Sequence, residues 1–589
     1  MLGLLAFALA LAPARASAAS CGSISGGASG DFTTWAELVT KVGSGAGTAT
    51  GSCTSTSDTF TVTINAAMTG TTTIVWDRAA TLLITGPDGA TDLTRPLLTE
   101  NGAVNLIEVR SVTSNGGKVT VRNLRLTSGG SAKGAVVNFD FSGAMTGQTM
   151  TLDNTKVSGF NTTDTAVRSE HGDIVIQNHS EISGNRANGG GLNVQQGGAY
   201  SYTNMTITDS TVSDNIGTDS TRGGGGAYVQ LGSMTVTRST ISGNQTSGPG
   251  GGVSVNSGGL TIDGSTISGN SSSSGSGGGV ASNYGTSITN STITGNSAAG
   301  LYGGGIYVAS GGLTLKYSTV AANTAFGSAS IRATGSSTVT ASVISSAAAS
   351  FSCQFSSATY SYVIATDTSC LDGGATNVVK TTGQINLGAL ANNGGSTLTM
   401  LPGAGSALTG YINAANPAPS VTTDQIGTAR TQPYTVGAVQ IKSTVSTLSA
   451  LALSAGTLTP TFAAATTTYT ASVPYATASL TVTPTSTNAG AAITVNGTSV
   501  ASGSASGAIA LSVGANTVTV ASTSQDGSST TTYTVTVTRA AASTDATLSN
   551  LTISSGTLSP TFASGTYTYT ASVSNATTSV TVTPTRNQA

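Results

Sequence analysis

Charge is what this chain has least of. Lysine, arginine, aspartate and glutamate make up 7% of 589 residues, against about 25% in ordinary soluble domains. The formal net charge is −2 and no basic cluster recurs, which removes the footprint of a nucleic-acid binder. Histidine is nearly missing: only His171 and His179 occur, and neither stands beside a cysteine pair at metal-ligand spacing. Helical patterning is confined to DFTTWAELVTKV at residues 31–42. Beyond the N-terminal stretch no run of eighteen apolar residues exists, so no membrane-spanning helix is expected. The 77 glycines never fall in a strict triplet, which excludes collagen.

What fills the chain is serine, threonine, asparagine and glycine, set out periodically. The phrases EISGN, TVSDN, TISGN, TISGN, TITGN and TVAAN end at Asn185, Asn215, Asn244, Asn270, Asn296 and Asn323, in steps of 30, 29, 26, 26 and 27 residues. Such a period denotes units that bury their apolar faces against their neighbours. Glycine runs lead into short apolar strands at residues 189–194, 223–229, 250–255, 277–282 and 303–308. Alternating pairs follow: Met205/Ile207, Met234/Val236, Leu260/Ile262 and Leu313/Leu315, with Ile288 at the matching place. Five residues later stand Val212, Ile241, Ile267, Ile293 and Val320. Each unit reads as three short strands with one face inward. The closed solution is a parallel β-helix with coils about 4.8 Å apart. The six asparagines are expected to form a structural ladder along one corner, where asparagine and glycine accept left-handed backbone.

The ends read differently. Residues 1–20, with an apolar core and small residues before Cys21, have the pattern of a signal peptide, which implies a secreted or cell-surface protein. Four cysteines in an exported chain permit two disulfides, and spacing favours Cys21–Cys53 and Cys353–Cys370, one at each end of the solenoid. Residues 21–58 are expected to cap the N-terminal end, 59–385 to form the β-helix in roughly twelve coils, and 386–440 to close it. After a linker at 441–447, LSALALSAGTLTPTF at residues 448–462 returns 100 positions later as LSNLTISSGTLSPTF. Short alternating strands make 448–540 a β-sandwich. A second linker at 541–547 leads to an incomplete second copy at 548–589, so the chain is expected to continue past Ala589.

The glycine-run and STISGN repeats resemble those of secreted and surface right-handed parallel β-helix proteins of bacteria, the polymorphic outer-membrane type among them. Residues 386–440 are similar to the closing segment of proteins with a choice-of-anchor Q domain. Leu387, Gly388, Leu390, Asn393, Gly394, Gly395, Thr397 and Thr399 carry its first motif, Pro402, Gly403 and Ala407 its second. Asp424, Gln425, Gly427 and Arg430 carry the third, and Gly437 and Ala438 the last. Ile426 stands where that family usually has arginine, and the usual N-terminal C-S-L-R-E-A-I motif is replaced by DFTTWAEL. The Leu-x-x-Leu, G-T-L-x-P-x-F and Y-T-V-T-V elements of 448–540 resemble bacterial cadherin-like β-sandwiches. The fold class implied is all-β: a right-handed, pectate-lyase-like solenoid followed by small β-sandwich repeats.

Candidate chemistry is sparse. In pectate-lyase-like β-helices, groups from successive coils line a polysaccharide groove, and Asp209, Asp263 and Arg238 are the alternative catalytic set, able with calcium to abstract a sugar proton. Asp209 and Arg238 share one repeat position, which also holds Gly264, Asn290 and Tyr317, while Asp263 lies one residue out of register. A position so tolerant reads as a solvated turn. His171 and His179, with Glu170, Asp173 and Glu181 nearby, read as another polar turn. Tyr200, Tyr202, Tyr228, Tyr284, Tyr302 and Tyr307 do not hold one repeat position, so no continuous aromatic platform is expected. Calcium is the one ion the cadherin resemblance brings to mind, but only Asp545 lies near that boundary.

The reading is a non-catalytic, adhesin-like surface protein, a monomeric stalk touching extracellular glycans or other surface proteins, with no cofactor. The alternatives are a polysaccharide lyase or glycoside hydrolase working in a coil groove, and a purely structural stalk.

Overall fold

Valine, isoleucine and threonine suit pleated, half-buried positions, and where they alternate here the backbone is strand. The computed structural model describes residues 20–26, 34–44, 59–76, 80–89, 94–102, 104–111, 118–129, 133–140, 149–162, 164–170, 172–188, 190–194, 203–300, 302–327, 330–346, 351–403, 405–412, 421–431, 434–488 and 490–587. The chain divides into two units, residues 1–441 and 442–589.

The first unit is a parallel β-helix. Strands stack coil on coil without slippage: Met205 faces Met234, then Leu260, Thr286 and Leu313, while Ile207 faces Val236, Ile262, Ile288 and Leu315. A third column runs Ile182, Val212, Ile241, Ile267, Ile293, Val320 and Ile344, and every member is fully buried. One-residue slippage would turn all these side chains outward, so the alternation itself sets the register. Among the described residues the first two strand positions of each coil merge into a sheet of 22 strands, and the third forms a sheet of 13.

Each central coil also holds a fourth ladder, six strands of two residues such as Gln245–Thr246 and Ser271–Ser272. The three-strand unit expected from the pattern is corrected to four, because two residues are too few to show a period.

Between the third and fourth strands lie the asparagines, all buried. The Nδ2 of Asn270 donates to Asn296 Oδ1 at 2.9 Å and to Ile241 O at 2.9 Å, while its Oδ1 accepts the backbone N–H and the Nδ2 of Asn244. Asn215, Asn244 and Asn296 repeat this pattern; Asn185 and Asn323 end the ladder. The glycine runs make room for it: a Cβ on Gly252 would lie 2.7 Å from Gly279 O and 3.1 Å from the Asn270 amide.

At the N-terminal end a strand, Ser20–Gly26, already pairs in parallel with Thr59–Ile64, so the cap region contains a coil strand as well as a helix. That helix, Trp35–Ser44, starts at a capping box between Thr34 and Glu37. Its Trp35, Leu38 and Val42 are buried in the coil core, and Trp35 Nε1 donates to Thr72 O at 2.7 Å. Cys353 and Cys370 form a disulfide at the other end; Cys53, and residues 1–19 of the stretch 1–20 expected to be a signal peptide, lie outside the described residues. Among the described residues no helix is long and apolar enough to cross a membrane.

The second unit opens with a β-sandwich. Gly514–Thr523 and Thr530–Arg539 form a hairpin, Thr468–Val473 pairs in parallel with the latter, and Leu448–Leu453 pairs with Val482–Ser486. Tyr469, Val482, Val518, Tyr533 and Val535 form its core with no exposed surface.

The ladder makes a stability prediction. Asn270→Ala strips the Asn244 N–H and Nδ2 of their acceptor, and buried orphans cost about 1–3 kcal/mol each. Thermal unfolding of the β-helix should fall clearly, whereas Thr261→Ala on the outer face should change stability by less than about 0.5 kcal/mol.

Candidate functional site

One corner of the coil is left-handed throughout. His179, Asp209, Arg238, Gly264, Asn290 and Tyr317 have φ of +63°, +48°, +45°, +57°, +47° and +46°. Non-glycine residues occupy this region only where the surroundings impose it. The imposing element is a second ladder. After each corner stands a buried serine, and the N–H of Ser210, Ser239, Ser265, Ser291 and Ser318 donates to the Oγ of the serine one coil on, at 3.1–3.2 Å. Sequence reasoning missed these serines, although one precedes every threonine that opens a TVS or TIS phrase.

The corner brings Asp209 and Arg238 together and leaves Asp263 aside. Arg238 donates through Nε to Asp209 Oδ1 at 2.7 Å and through Nη2 to Oδ2 at 2.6 Å. These bonds hold the Asp209 carboxyl below its ordinary range. Asp263 falls in the strand column of Thr237 and Thr289, and burial raises its pKa while the Arg238 charge partly offsets that. Beside the pair is a cleft of about 440 Å³ lined by His179, Glu181, Asp209, Arg238, Gly395 and Ser396 among others. Glu181 in turn holds Lys156 Nζ at 3.0 Å. Carboxylates tied to cations are weak proton acceptors, so neither Asp209 nor Glu181 stands free as a general base. His171 lies outside the described residues. Glu170 is bonded to Arg168, and Asp173 accepts from the Asn204 N–H at 2.7 Å.

Gly395 and Ser396 belong to the segment after the coils, which lies back along this corner. Gln425 reaches five groups: Nε2 donates to Ser265 O, Thr266 Oγ1, Thr397 Oγ1 and Leu398 O at 2.9–3.4 Å, and Oε1 accepts from Thr292 Oγ1 at 2.6 Å. Arg430 donates to Asn290 Oδ1 at 2.8 Å and Gly437 O at 3.0 Å, with its guanidinium 4.4 Å from the Tyr317 ring centre. Burial pushes Arg430 down to about 10, which leaves it charged at neutral pH. Asp424 accepts N–H groups of Ile426, Thr428 and Gln440, and burial raises its pKa. Ile426, where arginine was expected from the resemblance, packs over Gly395: a Cβ there would lie 2.7 Å from Ile426 Cα. The strapped coils begin at Gly264; the open cleft lies where the strap stops.

The outer face of the first-strand ladder holds a second concavity. Tyr228, Ser254, Ala281 and Tyr307 occupy one register column. Tyr228 and Tyr307, which both follow glycine runs, stand on it three coils apart with Ser254 and Ala281 between; Tyr200 and Tyr202 lie outside the described residues. In the second unit, Asp545 is engaged by Thr547 and by Asn587 Nδ2 at 2.7 Å.

Two outcomes follow. Since the folded pKa of Asp209 lies below its unfolded value, its pairing stabilises above about pH 3.9 and is lost as pH falls through the folded value. Both partners are partly exposed, so Asp209→Asn should cost under about 1 kcal/mol at pH 7, and unfolding curves of variant and wild type should converge as pH falls below the folded value of Asp209. Arg430→Ala strands the Asn290, Gly437 and Ala438 acceptors. Limited proteolysis read by mass spectrometry should then cut within 386–440 several-fold faster, with the coils still resistant.

Comparison with known proteins agrees with this division. Residues 135–312 and 203–385 match the model of the right handed beta helix region, and residues 448–540 match that of the cadherin-like beta sandwich domain. No curated protein matches the chain. The chain thus joins a right-handed parallel β-solenoid to a β-sandwich similar to the cadherin-like domain.

Proposed function

We propose that this is an exported, adhesin-type surface protein whose β-helix contacts extracellular glycans or other surface proteins as a monomeric stalk and catalyses no reaction. The observation that carries the reading is the outer face of the second-strand ladder. Thr206, Thr235, Thr261, Ser287, Thr314 and Thr338 stand in one column, and Thr208, Thr237, Asp263, Thr289, Lys316 and Thr340 stand in the next. Hydroxyls therefore recur at about 4.8 Å along the axis. A ligand with a repeat of its own can engage many such groups at once, and weak contacts then add by multivalency.

Four further points support it. A β-solenoid joined to a cadherin-like sandwich is an arrangement typical of extracellular proteins. The signal-like residues 1–20 suit export. Gln425 and Arg430, which dock segment 386–440 on the coils, and Asp424, which holds its turn, are residues of the choice-of-anchor Q pattern, which favours a closing role for it. The Asp209–Arg238 pair favours the non-catalytic reading, because its carboxylate is already occupied.

The test is the full chain on a glycan array, run beside reducing-end and unsaturated-product assays on acidic polysaccharides with and without calcium. Binding without cleavage is expected. Cleavage that disappears in Asp209→Asn would make the corner cleft an enzyme site, and no binding at all would leave only a stalk.

A further inference from the structure

The first-strand face carries a feature that the repeat does not require. Tyr228 and Tyr307 stand at the two ends of a floor made by Ser254 and Ala281, three strand steps or about 14 Å apart. One wall is an amide column two residues further along each strand. Asn283 Nδ2 donates to Asn256 Oδ1 at 2.7 Å, which leaves the Asn256 Nδ2 and the Asn283 Oδ1 without a partner among the described residues. Pro249 and Arg222 line the opposite side. The space enclosed is about 310 Å³, the low end of small-ligand sites.

The chemistry of the lining selects among ligands. Tyr228 is 4% exposed, and its hydroxyl has no hydrogen-bond partner among the described residues. The hydroxyl opens into the slot rather than lying enclosed, and a ligand hydroxyl there can pair with it. Arg222 has its charge matched by Asp219 at 3.4 Å, so the slot offers no spare cation. Apolar ring faces combined with neutral amides and a hydroxyl suit a molecule with flat C–H faces and a rim of hydroxyls.

We propose that this slot binds a neutral saccharide about two rings long, lying along the coil axis between Tyr228 and Tyr307, with hydroxyls bonded by Asn256, Asn283 and the Tyr228 hydroxyl. The assignment rests on the glycan-contacting reading above and names the ligand class and the place. The inserted loop at 218–222, part of the longer 29-residue coil, forms one side of the slot, so the site sits where the repeat is interrupted.

The experiment titrates the full chain with neutral and uronate-containing oligosaccharides of two to four rings, at about 0.15 M and 0.5 M salt. Tyr307→Ala removes one end wall and Ala281→Leu fills the floor; both point outward, and unfolding temperatures check that the coils persist. The expected result is saturable binding of a neutral oligosaccharide, insensitive to salt, weakened about tenfold or more by either variant. Tighter, salt-sensitive binding of uronates would overturn the neutral class. Neutral binding unchanged in both variants would overturn the slot while leaving the glycan-contacting reading intact. No binding by any glycan, here and on the array, would overturn both.

Discussion

A buried amide has two donors and an acceptor that must all be satisfied, and the β-helix is built around that demand. Each interior asparagine gives two hydrogen bonds and takes two, and it can do so only if the next coil lies one strand spacing away in register. The ladder therefore tolerates extra length only outside the corner. The steps of 30 and 29 residues exceed the later ones of 26, and the surplus lies in the stretches before the second strand and after the fourth. Thr246 of the fourth strand still turns inward. Registered corners are also what lets one outward column stay straight over many coils.

The serine corner follows the same rule with a smaller group. A serine Oγ satisfies one backbone N–H of the neighbouring coil and returns its proton to a carbonyl two residues back. The residue before it is forced into left-handed backbone, whatever its side chain. Arginine, tyrosine and histidine at that place are tolerated by the ladder rather than chosen for their conformation. The strap exploits two of them: Asn290 and Tyr317 supply the oxygen and the ring that receive Arg430. A buried guanidinium needs acceptors: Nη2 finds three, in Asn290, Gly437 and Ala438, and Nη1 one in Thr435 O, while Nε has none among the described residues.

Much of this was legible in the amino-acid sequence for a physical reason. Strands of three to five residues with one buried face leave a period of two, and stacking multiplies that signal. Met205, Ile207 and Val212 could thus be placed inward, and Asp263 one residue out of register with the repeat position of Asp209. Two-residue strands leave no period, so the fourth ladder was invisible. The strap's target was equally hidden, since Gln425 meets Thr266 across 159 residues of chain. Tyr228 and Tyr307 could be seen to follow glycine runs, as Ser254 and Ala281 do between them, but the runs do not show that this column lines a cavity.

The second unit separates local from tertiary information. Tyr469 bonds Ala463 through its hydroxyl, and Tyr569 does the same to Ala563. Leu451 faces Pro484, as Leu551 faces Pro584. Yet Val482 is fully buried and Val582 is 57% exposed, because the hairpin that covers the first copy has no counterpart over the second among the described residues. The short phrases specify turns and adjacent pairings by themselves; burial depends on elements far along the chain. The same separation governs the solenoid. Its repeat phrases specify a coil, while anything selective must come from residues that break the repeat on an outward column, where the core imposes no choice. Tyr228 and Tyr307 break it in that way, and the small residues between them leave the space that makes the break usable.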